Sequence, residues 1–137
     1  MSKTTGLGAT VSVDDAGGTL RTISNDVTNF QFATPRGVQD VTGVDKSAME
    51  RLLLLADFST TLNGVFNSAS NQQHDVFKTV PSTSVVRTVT LKPTSGSTPA
   101  LSNECLFSDY QLTRAANGEL TWSAPGVLAD GTVPTWS

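Results

Sequence analysis

Apolar and polar residues alternate with period two along most of this chain, and that pattern limits the fold more than any other feature. A strand shows alternate side chains to opposite faces, so strict alternation describes a sheet with one face in a core. "ATVSV" places Val11 and Val13 on one face, and "DDAGG" then turns the chain into "TLRTIS". "VTNFQF" places Thr28, Phe30 and Phe32 together. "FSTTLNGVF" sets Phe58, Leu62 and Phe66 against Ser59, Thr61 and Asn63. Gly64 falls on the apolar face, where a strand gains from it only if another backbone packs close. "VVRTVTL" offers Val85, Val89 and Leu91, with Arg87 on the same side. "ECLFSDYQLTR" reads as one strand, Leu106, Tyr110 and Leu112 facing away from Cys105, Phe107, Asp109, Gln111 and Thr113. "AANG", with Asn117-Gly118 for positive-φ positions, leads into "ELTWSA". The prediction is a mainly β fold, a sandwich or barrel of about six to eight antiparallel strands.

Two segments depart from the alternation. "NQQHDVFKTV" runs without glycine to Pro81, and Ser70 with Gln73 fits a capping box, so one short flanking α-helix is expected over about 71–80. A helix of about ten residues is not stable alone and must lean on the sheet. "GVDKSAMERLLLLAD" reads two ways: a second short helix capped by Ser47 with Glu50, or an extended arm whose leucines meet another subunit. "KPTSGSTPALSN" is turn-rich and polar, a surface connection. At 137 residues, without repeat or linker, the chain is expected to form a single domain over 1–137.

Composition excludes several function classes. Ser and Thr number 35, while the formal charge is −3 from 9 basic and 12 acidic residues scattered along the chain. With no basic stripe to neutralise phosphates, sequence-specific nucleic-acid binding is not expected. The longest leucine run is the four residues Leu52 to Leu55, so no membrane span is expected. The N-terminus lacks a basic-then-apolar leader, and the single cysteine, Cys105, cannot form an internal disulfide; both fit assembly in a reducing cytoplasm.

The only histidine, His74, stands beside Asp75 and downstream of Ser68 and Ser70, which raises a catalytic reading. Adjacent helical residues point about 100° apart, so Asp75 is badly placed to orient the ring, and no G-x-S-x-G elbow exists. One histidine and one cysteine do not make a zinc site, and "DDAGG" is too short for an EF-hand loop. No catalytic residue, metal or cofactor is expected.

The string "ADFSTTLNGVFNSASNQQHDVFKTV" resembles the middle of bacteriophage tail tube (major tail) proteins of long-tailed siphophages: a strand ending in "LNGVFN", a few small polar residues, then a short helix "HDVFK". "TLRTISNDVTNFQFATPRGVQDVT" is similar to the family's early strand pair, and "LFSDYQLTRAANGELTWSAPGVLADGTVPTW" to its closing strands. The likeness extends over roughly residues 7 to 136. It implies a structural virion protein, assembled in the bacterial host, whose hexameric rings stack into a hollow tube. Its partners would be copies of itself, the tape measure protein and the tail terminator, and DNA would pass through the lumen without specific binding. On that reading 41–57 is an inter-subunit arm, with Arg51, Leu52, Leu53, Leu54 and Leu55 in contact. Ser59, Thr61, Asn63, Asp109, Gln111 and Thr113 are the candidate lumen-facing residues. The competing expectations are a single-ring head-tail joining or tail-terminator protein, and a monomeric β-sandwich module binding carbohydrate through Tyr110, Trp122 and Trp136.

Overall fold

The computed structural model describes residues 3–137. Ten strands run in the order β1 (Thr10–Asp14), β2 (Leu20–Thr22), β3 (Val27–Ala33), β4 (Arg36–Asp40), β5 (Arg51–Ala56), β6 (Ser59–Val65), β7 (Arg87–Lys92), β8 (Leu101–Phe107), β9 (Gln111–Arg114) and β10 (Leu120–Leu128). A short helix, α1 (Gln73–Phe77), lies between β6 and β7, and a 3-10 turn, Ser24–Asp26, joins β2 to β3. Eight strands form one antiparallel sheet in the order β2-β1-β7-β8-β10-β6-β3, with β9 alongside β10; β4 and β5 form a separate hairpin. The mainly β, antiparallel expectation holds. Among the described residues no barrel closes, because β2 and β3 remain edges joined only through the 3-10 turn.

Alternation builds the core. Val11, Val13, Val89, Leu91, Leu101, Cys105, Leu62, Phe58, Trp122 and Ala124 all point to one side of the curled sheet, where Val76 and Phe77 of α1 fill the hollow. The Phe77 ring meets Phe107, Tyr110 and Trp122 with centroids 5.1, 5.8 and 5.3 Å away. Arg87 shares this buried face. Its guanidinium donates to the carbonyls of Asp14 and Val76 (both 2.9 Å) and to Thr79 Oγ1 (2.9 Å), tying the helix to the sheet. Desolvation lowers its pKa, and the nearby Asp15 and Asp14 oppose that. The two tight hairpins, β1–β2 and β9–β10, use the same turn: Gly18 N–H donates to Asp15 O and Gly118 N–H to Ala115 O, with φ of +85° and +94°. Only Gly118 of the Asn117-Gly118 pair takes positive φ.

The structure revises several local expectations. "ECLFSDYQLTR" is two strands: β8 stops at Phe107, the chain bends through Ser108–Tyr110, and β9 resumes beside a different stretch of β10. Thr28 leaves the Phe30 face, because a bulge between Val27 and Asn29 puts two residues opposite one step of β6. The strand expected from Val85 begins only at Arg87. The helix is shorter than 71–80. Asn71 adopts φ of 63°, which no helix interior accepts, and beyond Phe77 the chain continues as turns. Ser70 caps nothing. Gln72 is the N-cap residue, without a side-chain cap bond, and the Gln73 N–H goes to Asp26 Oδ2 (3.2 Å) across the core. Residues 45–56 are not a helix: "RLLLLA" is β5, paired with β4 in a hairpin that begins before the expected arm.

Candidate functional site

The strand register carries most of the expected lumen residues to one face. On β10, Ser123 is opposite Asn63 of β6 and Gln111 of β9, and Thr121 is opposite Val65 and Thr113. On the other side of β6, Asn63 and Thr61 meet Asn29 and Gln31 of β3, and Asn63 Nδ2 donates to Asn29 Oδ1 at 2.8 Å. Ser59, Thr61, Asn63, Gln111 and Thr113 therefore stand in one polar patch across the four strands β9-β10-β6-β3. No charged side chain falls in its rows. Asp109 does not join them: it lies in the bend before β9, where its carboxylate accepts the Tyr110 N–H at 2.8 Å. Sequence reasoning missed Asn29, Gln31, Thr121 and Ser123. Their polar alternation was readable, but nothing local says that β3 and β10 flank β6.

The hairpin β4–β5 is the second feature. Val38 pairs with Leu53 and Gln39 with Leu52, so Leu52 and Leu53 lie on opposite faces. Beyond Leu53 a register shift against Arg36–Val38 interrupts the alternation, and Leu54 lies beside Gly37, away from the Val38–Leu53 side. All four leucines are exposed, Leu55 at 90 % and Leu53 at 60 %. Polar bonds hold the hairpin's tip. Thr42 N–H and Oγ1–H donate to Asp40 Oδ1, Glu50 N–H donates to Thr42 Oγ1 at 2.8 Å, and Lys46 pairs with Glu50 at 3.5 Å. The Thr42 bonds keep the Asp40 carboxyl below its ordinary pKa. Few monomers leave so continuous an apolar ribbon uncovered.

His74 belongs to a supporting network rather than a triad. Its Nδ1 lies 3.0 Å from the Tyr110 hydroxyl, which also accepts from Gln73 Nε2 at 2.6 Å. Gln73 Oε1 accepts the Asn67 N–H, and Asn67 Nδ2 donates to Asp26 Oδ1 at 2.8 Å. Asp75 points elsewhere, accepting from Lys78 Nζ and from the Asn71 N–H, which lower its pKa. Burial raises the Tyr110 pKa, partly offset by the Gln73 bond, so the phenol stays neutral. His74→Ala removes one part-buried bond and some contact with Phe66, 4.9 Å away between centroids. It should cost about 1 kcal/mol by chemical denaturation and leave assembly intact. Loss of assembly in a folded His74→Ala protein would overturn this account.

Other chemical readings lose their geometry. Burial pushes the Cys105 thiol up to about 12, which makes it a poor nucleophile. Trp122 is core, its Nε1–H shared between the carbonyls of Asp26 and Val65, and Tyr110 is engaged as above. Of the three aromatics of a carbohydrate platform, only Trp136 is exposed and free of the core.

No protein-family model matches the sequence, and no curated protein matches it. Solved structures do. A chain from the tail of an empty GTA particle, determined by helical refinement with C6 symmetry, superposes with a TM-score of 0.73 at 16 % identity, covering 98 % of this chain and 99 % of its own. A chain from the virion of a native gene transfer agent particle superposes with a TM-score of 0.72 at 15 % identity over the same shares. The chain shares the fold of these two gene transfer agent particle chains along nearly its whole length.

Proposed function

We propose that this chain is a tail tube subunit: copies form hexameric rings, the rings stack, and DNA passes through the bore. The observation that carries the reading is the end-to-end match, 98 % of this chain with 99 % of the other, to a chain from a tail with C6 symmetry. Two features of the structure support it. The sheet segment β9-β10-β6-β3 has an even number of strands, and its outer members, β3 and β9, run in opposite directions. Rotation about a ring axis keeps strand sense, so β3 of one copy meets β9 of the next antiparallel, and edges that would invite aggregation close on themselves. Six such segments give roughly 24 strands at ~4.8 Å spacing, a backbone diameter of about 37 Å before tilt widens it.

The chemistry of the patch suits a conduit. Ser, Thr, Asn and Gln make up most of it, with Ala33, Val65, Pro125 and Val127 between them and no charge, so no Lys or Arg there holds phosphate and sliding DNA meets no salt-dependent grip. The leucine hairpin then supplies the contacts between subunits or rings, and the tape measure and tail terminator proteins are the expected partners at the bore and the tube end. Concentrating the purified protein and following it by light scattering and negative-stain microscopy tests the proposal. Hollow tubes or stacking hexamers are expected. A strict monomer at every concentration refutes it, and rings that never stack favour the single-ring reading.

A further inference from the structure

We infer that Leu112 of one copy seats in the cleft beside β3 of the next copy, as β9 adds to β3 as a neighbouring strand. This rests on the ring reading above and names the contact that makes the seam. Among the described strands, β3 bonds only β6 and β9 bonds only β10, so each offers one open edge. Beside β3 a cleft of about 240 Å³ opens against the N-terminal strip, its wall mixing apolar Leu7, Val11, Val27 and Phe30 with polar Ser24 and Thr28. Leu112 is the matching apolar group: opposite Trp122 on the core side of β9, yet 47 % exposed.

Strand parity fixes the fit. Asn29 and Gln31 of β3 lie on the polar patch and Phe30 on the opposite side; Gln111 and Thr113 of β9 lie on the patch and Leu112 on the opposite side. If the patch is continuous across the seam, Leu112 arrives on the Phe30 side, where the cleft is. A slip of one residue would bring Gln111 or Thr113 to the cleft and turn Leu112 to the bore. The occupant is a second copy because the leucine and the cleft sit at opposite edges of one sheet segment, the arrangement of a head-to-tail contact.

The test uses Leu112→Glu and the pair Leu112→Cys with Val27→Cys, Val27 being a half-buried cleft residue on the Phe30 side of β3. Leu112→Glu should unfold within a few degrees of wild type yet need at least about tenfold more protein to assemble. Because Cys105 is buried, oxidation of the paired variant should link only the introduced thiols, which requires Cα atoms within about 7 Å. Covalent multimers are expected from the pair and not from either single substitution. Wild-type-like assembly of Leu112→Glu, or tubes of the paired variant that do not cross-link, overturns the contact while leaving the tube reading standing. A wild type that never assembles overturns both.

Discussion

Gly64→Ala is expected to lower the stability of the subunit by about 3–5 kcal/mol, or some 10–15 °C in melting temperature. A methyl group at this position would overlap the Asp26 carbonyl oxygen and sit 2.9 Å from Trp122 Nε1. Neither obstacle is the loose end of a side chain. The Asp26 carbonyl accepts the buried Trp122 N–H, and the Asp26 carboxylate holds Asn67 and the first turn of α1. Making room therefore disturbs strand, 3-10 turn and helix together. Gly126 is the built-in control: a methyl there would meet the Phe107 ring and Thr60 Cγ2 at 3.0–3.2 Å, groups that can shift. Thermal unfolding by circular dichroism should rank Gly64→Ala well below Gly126→Ala. Equal, small effects would mean that β6 can move away from the turn.

Leu53→Asp combined with Leu54→Asp should leave folding nearly unchanged and abolish tube growth. The two side chains lie on opposite faces of β5, so the pair strips apolar surface from both sides of the hairpin. Both are exposed, so the isolated subunit loses little. Burying a leucine in an interface is worth about 1.5–3 kcal/mol, and a buried unpaired carboxylate adds a penalty, so the protein concentration needed for assembly should rise more than 100-fold. Sedimentation and light scattering read the assembly, circular dichroism the fold. Unchanged tubes would refute an interface role for the arm.

Much of the scaffold was legible because its signals are local. Period two identified the core faces of β1, β6 and β7, and Gly64 on an apolar face implied a close backbone that proved to be Asp26. The helix was located correctly but its cap was not. The sequence offered Ser70 with Gln73, whereas the N–H at the start of the helix is satisfied by Asp26, 47 residues away in the chain. Asp109 falls on a strand face only if period two is carried from Phe107 to Gln111, but the consecutive polar residues Ser108 and Asp109 break the alternation where the chain bends. The leucine run was ambiguous because four consecutive apolar residues suit either period, and only pairing with "RGVQD" makes them a strand.

The sequence by itself determined a mainly β chain, its turns and the neutral polar faces of individual strands. Those follow from side-chain periodicity and backbone preference, properties of neighbouring residues. Only the tertiary structure decided that β9, β10, β6 and β3 lie side by side, that their polar faces merge, and that Leu112 and the cleft by β3 occupy opposite edges. Register across strands is set by non-local hydrogen bonds and by burial of one common core, and no local pattern encodes which strands will meet.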